Sequence, residues 1–146
     1  MNQHEIMYKV GQILEDSRAG VLATIDEQGN PRMRWMTPAV VKGRPDVLFA
    51  VTSPDFHKVV QLNAHADAEW MIQTRALDQV VNLRGKINVL ENPSIRSEIM
   101  EHLAKQLTVF WRVNTEKTDF IVLETIIEEV TYFRPMKGQK EIVRFQ

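Results

Sequence analysis

Three predicted β-strands lie within residues 20–51 and are separated only by short turns. The strands are GVLATI, PRMRWMTPAVV and DVLFAV, and the turns between them contain DEQGN and KGRP. Parallel neighbours need a long crossover connection, usually a helix, and neither turn has room for one. This stretch therefore predicts an antiparallel meander rather than the alternating strand and helix pattern of a doubly wound sheet.

The remaining segments predict further strands and three helices. A short amphipathic helix is expected from Glu5 to Leu14, ending near Ser17, and Gly85 is expected at a bulge or bend. The other expected helices are TSPDFHKVVQLNAHADA and ENPSIRSEIMEHLAKQL; the other expected strands are AEWMIQT, QVVNLRGKINVL and a pair within DFIVLETIIEEVTYFRP, followed by the tail MKGQKEIVRFQ. Six or seven strands with helical crossovers indicate one mainly β (α+β) domain over residues 1–146, a closed or nearly closed antiparallel barrel with peripheral helices.

Composition narrows the class of protein. With 18 basic and 19 acidic residues the net charge is -1, so there is no general attraction to nucleic acid or to an anionic membrane, and any anion site must be local. The absence of cysteine excludes disulfides, thiolate metal sites and a cysteine nucleophile. No signal-peptide pattern and no run of about 20 apolar residues is present, so a cytoplasmic protein is expected. His65, Asp67 and Glu69 lack zinc spacing, and no metal site is expected.

Two arginines stand on one side of the strand that begins at Pro31. Alternation puts Arg32, Arg34 and Met36 on one face, with Met33, Trp35 and Thr37 on the other. The arginines either are solvated outward positions or bind an anion. For an anion site, TSPDFHK adds a helix N-terminus with His57 and Lys58 on its first turns, although ordinary capping by Ser53 explains that segment equally well.

The order of these parts resembles the pyridoxamine 5'-phosphate oxidase-like split-barrel flavoproteins, above all the short general-stress-protein type. The resemblance covers roughly residues 5–135 and rests on Gly29-x-Pro31 followed by Arg34-x-Met36, and on the Thr-Ser-Pro-Asp-x-x-Lys turn. It implies a split β-barrel with Greek-key character that binds FMN at the interface of a homodimer. The cofactor-binding residues that it implies are Arg34, Trp35, Met36, Thr37, Val51, Thr52, Ser53, His57, Lys58 and Gln79.

Within the resemblance, Arg34, His57 and Lys58 are expected to hold the FMN phosphate, and Gln79 matches a glutamine-valine pair, displaced by one residue relative to Gly85. The family's C-terminal Arg-x-His pair is missing, with Lys140 and Ile142 at about those places, which argues against true pyridoxamine phosphate oxidation. Exposed apolar residues, among them Met36, Phe110 and Trp111, are expected to favour a dimer.

The function that this predicts is an FMN-dependent oxidoreductase acting on a small-molecule redox substrate, with no side chain assigned a catalytic role because the flavin performs the chemistry. The alternatives are a flavin-binding or flavin-sensing stress protein without turnover, a split barrel that holds a deazaflavin or haem, and a barrel with no ligand.

Overall fold

The computed structural model describes residues 1–52, 65–103 and 121–146, and in this part of the chain eight strands form one antiparallel sheet. Two α-helices and a short 3-10 helix, Pro135–Lys137, accompany the strands. The elements are α1 (Gln3–Ser17), β1 (Gly20–Ile25), β2 (Pro31–Met36), β3 (Pro38–Val41), β4 (Arg44–Thr52), β5 (Asp67–Gln73), β6 (Val80–Val89), α2 (Pro93–Leu103), β7 (Ile121–Arg134) and β8 (Gln139–Arg144).

The sheet curls because its two end strands are neighbours in sequence. The strand order is β2-β1-β5-β6-β7-β4-β3, with β8 paired to β7 outside this path. Since β2 ends at Met36 and β3 begins at Pro38, Thr37 alone joins the two ends of the order. The predicted split barrel with peripheral helices is confirmed. The single strand predicted over PRMRWMTPAVV is wrong, because the chain changes from one edge to the other at Thr37.

Strand β7 is the longest element of the sheet and replaces the two strands predicted between Asp119 and Pro135. It runs for 14 residues because no turn-forming residue interrupts it. Its first half pairs with β4 and its second half with β8, while β6 lies along its other side. The segment that was expected to be a tail forms the end of the 3-10 helix and β8, and β8 pairs with β7 as a hairpin.

The predicted irregularity at Gly85 is confirmed as a bulge between β6 and β7. Arg84 pairs with Glu129 and Gly85 with Ile127, which leaves Glu128 as the extra residue. A Cβ at position 85 would lie 2.1 Å from the carbonyl oxygen of Ile126, so this close backbone approach admits only glycine.

The main core fills the inner face of the sheet. The inner face is the set of inward side chains on β1, β5, β6 and the second half of β7, and it includes Leu22, Trp70, Leu83 and Val130, each no more than 1% exposed. Helix α1 packs into the same core through its buried residues, which are Ile6, Met7, Val10, Ile13 and Leu14. The predicted first helix is thereby confirmed, extended to Gln3–Ser17.

A second, smaller core lies on the other side of the β3–β4–β7 part of the sheet. Phe49 and Val122 pack there with Ile99 and Leu103 of α2. Asn92 caps α2, as its sequence predicts, by accepting hydrogen bonds from the backbone N–H groups of Ser94 and Ile95 at 3.0 and 3.3 Å. The rest of the predicted α2 segment beyond Leu103 and the helix predicted after Thr52 lie outside the described residues. No helix in the described ranges is long and apolar enough to cross a lipid bilayer.

Candidate functional site

The β1–β2 hairpin gives its two arginines different surroundings. The Nε atom of Arg32 donates to Asp26 Oδ2 at 2.9 Å, and Asp26 Oδ1 also accepts from the backbone N–H groups of Gln28 and Asn30 at 3.0 and 2.8 Å. These contacts, with the Asn30 N–H contributing most, hold the pKa of Asp26 below its ordinary value of 3.8. The Arg32 side chain is therefore bound to the turn of the hairpin.

Arg34 instead reaches the inner side of the hairpin. It lies directly across from the core residue Leu22, so its side chain is on the same face of the sheet, and its guanidinium is half-buried. Burial, and to a lesser extent the nearby charge of Arg32, lowers the pKa of Arg34. A cation in such a place is stabilised by an anion brought to it, which is the behaviour expected of a phosphate-binding residue.

A buried hydroxyl lies beside this arginine. Thr24 pairs with Arg32 across the hairpin and is diagonal to Arg34, and its side chain is 4% exposed. Within the described residues Thr24 Oγ1 has no hydrogen-bond partner, which is an unfavourable state for a buried polar atom. The sequence reasoning missed Thr24, although its alternation with Leu22 marks it as an inward position of a buried strand.

The other two predicted residues of β2, Trp35 and Met36, lie on opposite faces of the sheet. Trp35 is 82% exposed on the opposite, outer face, whereas Met36 is half-buried and packs against the main core. The expectation that Met36 contributes an exposed apolar patch is therefore wrong; Met33, 68% exposed, and Trp35 do so instead. Phe110 and Trp111 lie outside the described residues.

Thr37, Val51 and Thr52 come together where β2 passes into β3. Pro38 pairs with Ala50, so Thr37 and Val51 are next in register. The Val51 side chain is buried in the second core beside α2, while Thr52 is half-buried at the end of β4. Ser53, His57 and Lys58 lie outside the described residues, so the predicted meeting of Arg34 with Lys58 stays a prediction.

Gln79 lies apart from this group, three strands away from β2 in the loop before β6. Its side-chain Oε1 accepts a hydrogen bond from the Tyr132 hydroxyl at 2.8 Å, and its backbone carbonyl accepts one from the Thr74 N–H at 3.0 Å. The Thr74 contact closes the β5–β6 hairpin, and the Tyr132 contact joins its loop to β7. The structure therefore gives Gln79 a structural role, and its contact with a cofactor stays a prediction.

The outer face is the side of the β2-β1-β5-β6-β7-β8 sheet that is opposite the main core. One row across it is largely apolar, and a neighbouring row alternates in charge. The apolar row is Trp35, Val21, Met71, Asn82, Thr131 and Ile142. The charged row is Glu69, Arg84, Glu129 and Arg144, in which Arg84 Nη2 and Arg144 Nε lie 3.6 and 3.4 Å from Glu129 Oε2.

In the described ranges, helix α2 packs on this side of the sheet at β3, β4 and the start of β7, and no group of His, Asp and Glu side chains in those ranges is placed to hold a metal ion.

The sequence model of the pyridoxamine 5'-phosphate oxidase family matches residues 7–134. The chain belongs to that family. The matched range contains the strands from β1 to β7, including the hairpin with Arg34. By contrast, no curated protein matches the sequence.

Solved structures of low sequence identity share the fold. A protein from Clostridium acetobutylicum, related to general stress protein 26 of B. subtilis and to the pyridoxinephosphate oxidase family, aligns with a TM-score of 0.72 and 14% identity over 99% of this chain and 97% of its own. A pyridoxamine 5'-phosphate oxidase-related, FMN-binding protein from Nostoc punctiforme gives 0.63 and 11%, over 95% of both chains. A haem-binding protein from Mycobacterium smegmatis gives 0.71 and 16%, over 97% of this chain and 57% of its own.

Proposed function

We propose that this protein is an FMN-binding flavoprotein that acts as an oxidoreductase. The observation that carries the proposal is the inner side of the β1–β2 hairpin, where the half-buried Arg34 guanidinium lies diagonal to the buried Thr24 hydroxyl. A phosphate ester suits both groups, because it accepts a bidentate pair of hydrogen bonds from arginine and a further one from a hydroxyl.

In this proposal, one group of residues binds the FMN phosphate and another lies beside the rest of the cofactor. Arg34 and Thr24 hold the phosphate from the hairpin, and Ser53, His57 and Lys58 complete the grip as the sequence predicts. The backbone of Trp35, Met36 and Thr37 runs beside the rest of the cofactor, near Val51 and Thr52. When bound, FMN supplies electron or hydride transfer, and the chain's part is to position the cofactor and limit the access of water.

The outer face supports a homodimer with the cofactor at the interface. Trp35, a large side chain that is 82% exposed, lies at the edge of a row that also contains Val21, Met71 and Ile142, and apolar patches are characteristic of interfaces. The alternating charges of the adjacent row form a polar margin. Sedimentation of the purified protein tests this step: a monomer that still binds FMN tightly would exclude the interface site.

Oxidation of pyridoxamine phosphate itself is not part of the proposal. The positions of the family's substrate-gripping pair hold Lys140 and Ile142, which are exposed on β8. The proposed substrate is accordingly a different small redox molecule.

The two arginines give a matched experiment for the phosphate site. Arg34→Ala is expected to weaken FMN binding by about 10- to 100-fold, the usual loss when a charge-assisted hydrogen bond is removed. Arg32→Ala removes the same charge from the same strand but should leave the FMN affinity within about threefold, because Arg32 contacts Asp26. FMN fluorescence quenching measures both. Unchanged affinity in an Arg34→Ala, Lys58→Ala double variant would defeat the phosphate assignment.

Two further functions remain as alternatives with distinct readouts. In a flavin-binding or flavin-sensing protein without turnover, anaerobic NADH and NADPH would both fail to bleach the bound flavin. The haem-binding relative from Mycobacterium smegmatis favours haem as the second candidate cofactor. The visible spectrum of the protein as purified distinguishes FMN, a deazaflavin and haem.

A further inference from the structure

A cavity of about 550 Å³ lies between α1 and the start of β3, away from the Arg34 side chain. One wall consists of Gly11, Leu14 and Glu15, which share one face of α1, together with Arg18 directly after the helix ends. Residues 37–40 form the opposite wall. The volume falls within the range of small-molecule sites, roughly 300–1,000 Å³.

The cavity is open on the α1 side because position 11 is a glycine, which has no side chain. Gly11 is in the interior of the 15-residue helix α1, and in the described part of the chain no atom lies within 4 Å of the position its Cβ would take. Glycine weakens a helix interior relative to alanine, and nothing in the local packing excludes a side chain here. A larger residue at position 11 would extend into the cavity.

Two opposite charges border the cavity without pairing. Among the described residues neither the Glu15 carboxylate nor the Arg18 guanidinium makes an ion pair or hydrogen bond, to the other or elsewhere. Beneath them lie the apolar side chains of Leu14 and Pro38, which are buried, and of Val40, which is half-buried. The cavity thus offers one anion, one cation and an apolar floor.

We propose that this cavity binds a small zwitterion, an apolar α-amino acid or a compound of that class. Its ammonium group pairs with Glu15, its carboxylate with Arg18, and its side chain packs on Leu14 and the β3 wall, with the Thr37 hydroxyl in reach of either polar end. The site does not need bound flavin. It adjoins the proposed FMN site through Thr37 alone.

Binding to the FMN-free protein tests the ligand class. L-leucine, L-methionine and L-phenylalanine are titrated by calorimetry or by NMR, each beside its amide, which keeps only the positive charge, and its N-acetyl derivative, which keeps only the negative one. At least one free amino acid should bind, with both of its derivatives at least tenfold weaker. No binding by any of the three, or equal binding of a singly charged derivative, would overturn the proposal.

Variants then locate the site. Gly11→Leu should abolish amino-acid binding by filling the cavity, whereas Gly11→Ala, the control for helix propensity, should bind within about threefold of the parent. Glu15→Gln and Arg18→Gln should each weaken binding about tenfold or more. FMN affinity is measured on the same proteins and should not change. A Gly11→Leu protein that keeps the amino acid, or that loses FMN instead, would show that the zwitterion site is wrongly placed; loss of FMN from Arg34→Ala alone leaves this proposal standing.

Discussion

The inner and outer faces of the sheet are built by the same strands but differ in what covers them. Along β1, Leu22 and Thr24 are buried on the inner face, while Val21 and Ala23 alternate with them on the half-buried outer face. Helix α1 covers the inner side, whereas within the described ranges α2 covers the outer side at β3, β4 and the start of β7. Within the described ranges the inner face of β1 and β5 is therefore covered by a helix, whereas Trp35 on the outer face is largely exposed.

The two tryptophans on neighbouring parts of the sheet show the same difference. Trp70 is 1% exposed on β5 and donates through Nε1 to Thr125 Oγ1 at 3.0 Å, so its polar atom is satisfied inside the core. Trp35 is 82% exposed on β2. Two residues of one type thus have different roles, because strand alternation points them to opposite faces.

A large effect on stability is expected at the Gly85 bulge between β6 and β7. Gly85→Ala puts a Cβ against the Ile126 carbonyl and should destabilise the protein by about 3 kcal/mol or more. Gly11→Ala, the same change where space is open, should stabilise it by about 0.5–1 kcal/mol. Urea unfolding measures both. Equal midpoints for the two variants would contradict the close approach at Gly85.

The tryptophans provide the next test. Trp70→Ala should cost about 3–5 kcal/mol of unfolding free energy, because it leaves a cavity in the core. Trp35→Ala should change the stability of the monomer by no more than about 0.5 kcal/mol. If the outer face is the dimer surface, Trp35→Ala should instead raise the dimer dissociation constant at least tenfold, as measured by sedimentation at several concentrations. A dimer unaffected by Trp35→Ala would place the interface elsewhere.

The smallest effect is a pH dependence at the turn of the β1–β2 hairpin. Because the folded protein holds the pKa of Asp26 below 3.8, its carboxylate stabilises the fold above that pH, and this contribution is lost as the pH falls through the lower, folded pKa. Asp26→Asn should therefore be less stable than the parent at neutral pH, with the difference shrinking below about pH 4. Unfolding at a series of pH values measures it, with the exposed Glu27→Gln as control. A difference that stays constant from pH 7 to about pH 3 would contradict the assignment.

Much of the fold could be predicted from short-range patterns. The antiparallel β1–β2 and β3–β4 hairpins, α1, the capped start of α2 and the bulge at Gly85 all follow from alternation, helical spacing and turn residues. The break at Thr37 and the continuous β7 could not be predicted in this way. Residues 31–41 have no turn signal at Thr37, and the change of edge there is imposed by closure of the sheet.

Only part of the candidate site could be predicted from the sequence. Strand alternation correctly places Arg32, Arg34 and Met36 on one side of the strand. It does not predict that the two arginines have different surroundings. Asp26 distinguishes them, since it binds Arg32 through the geometry of the turn. Gln79 matched a family pattern, yet the structure shows it bound to Tyr132, a residue 53 positions away.

By itself, the sequence determined which residues alternate, where helices begin and where the backbone requires glycine, because these depend on neighbours within a few positions. Only the tertiary structure decided which face became the core, which arginine pairs with Asp26 and where a cavity opened beneath α1. Those outcomes depend on contacts between elements that are distant in the chain, and a periodic pattern specifies two faces without specifying what each of them will meet.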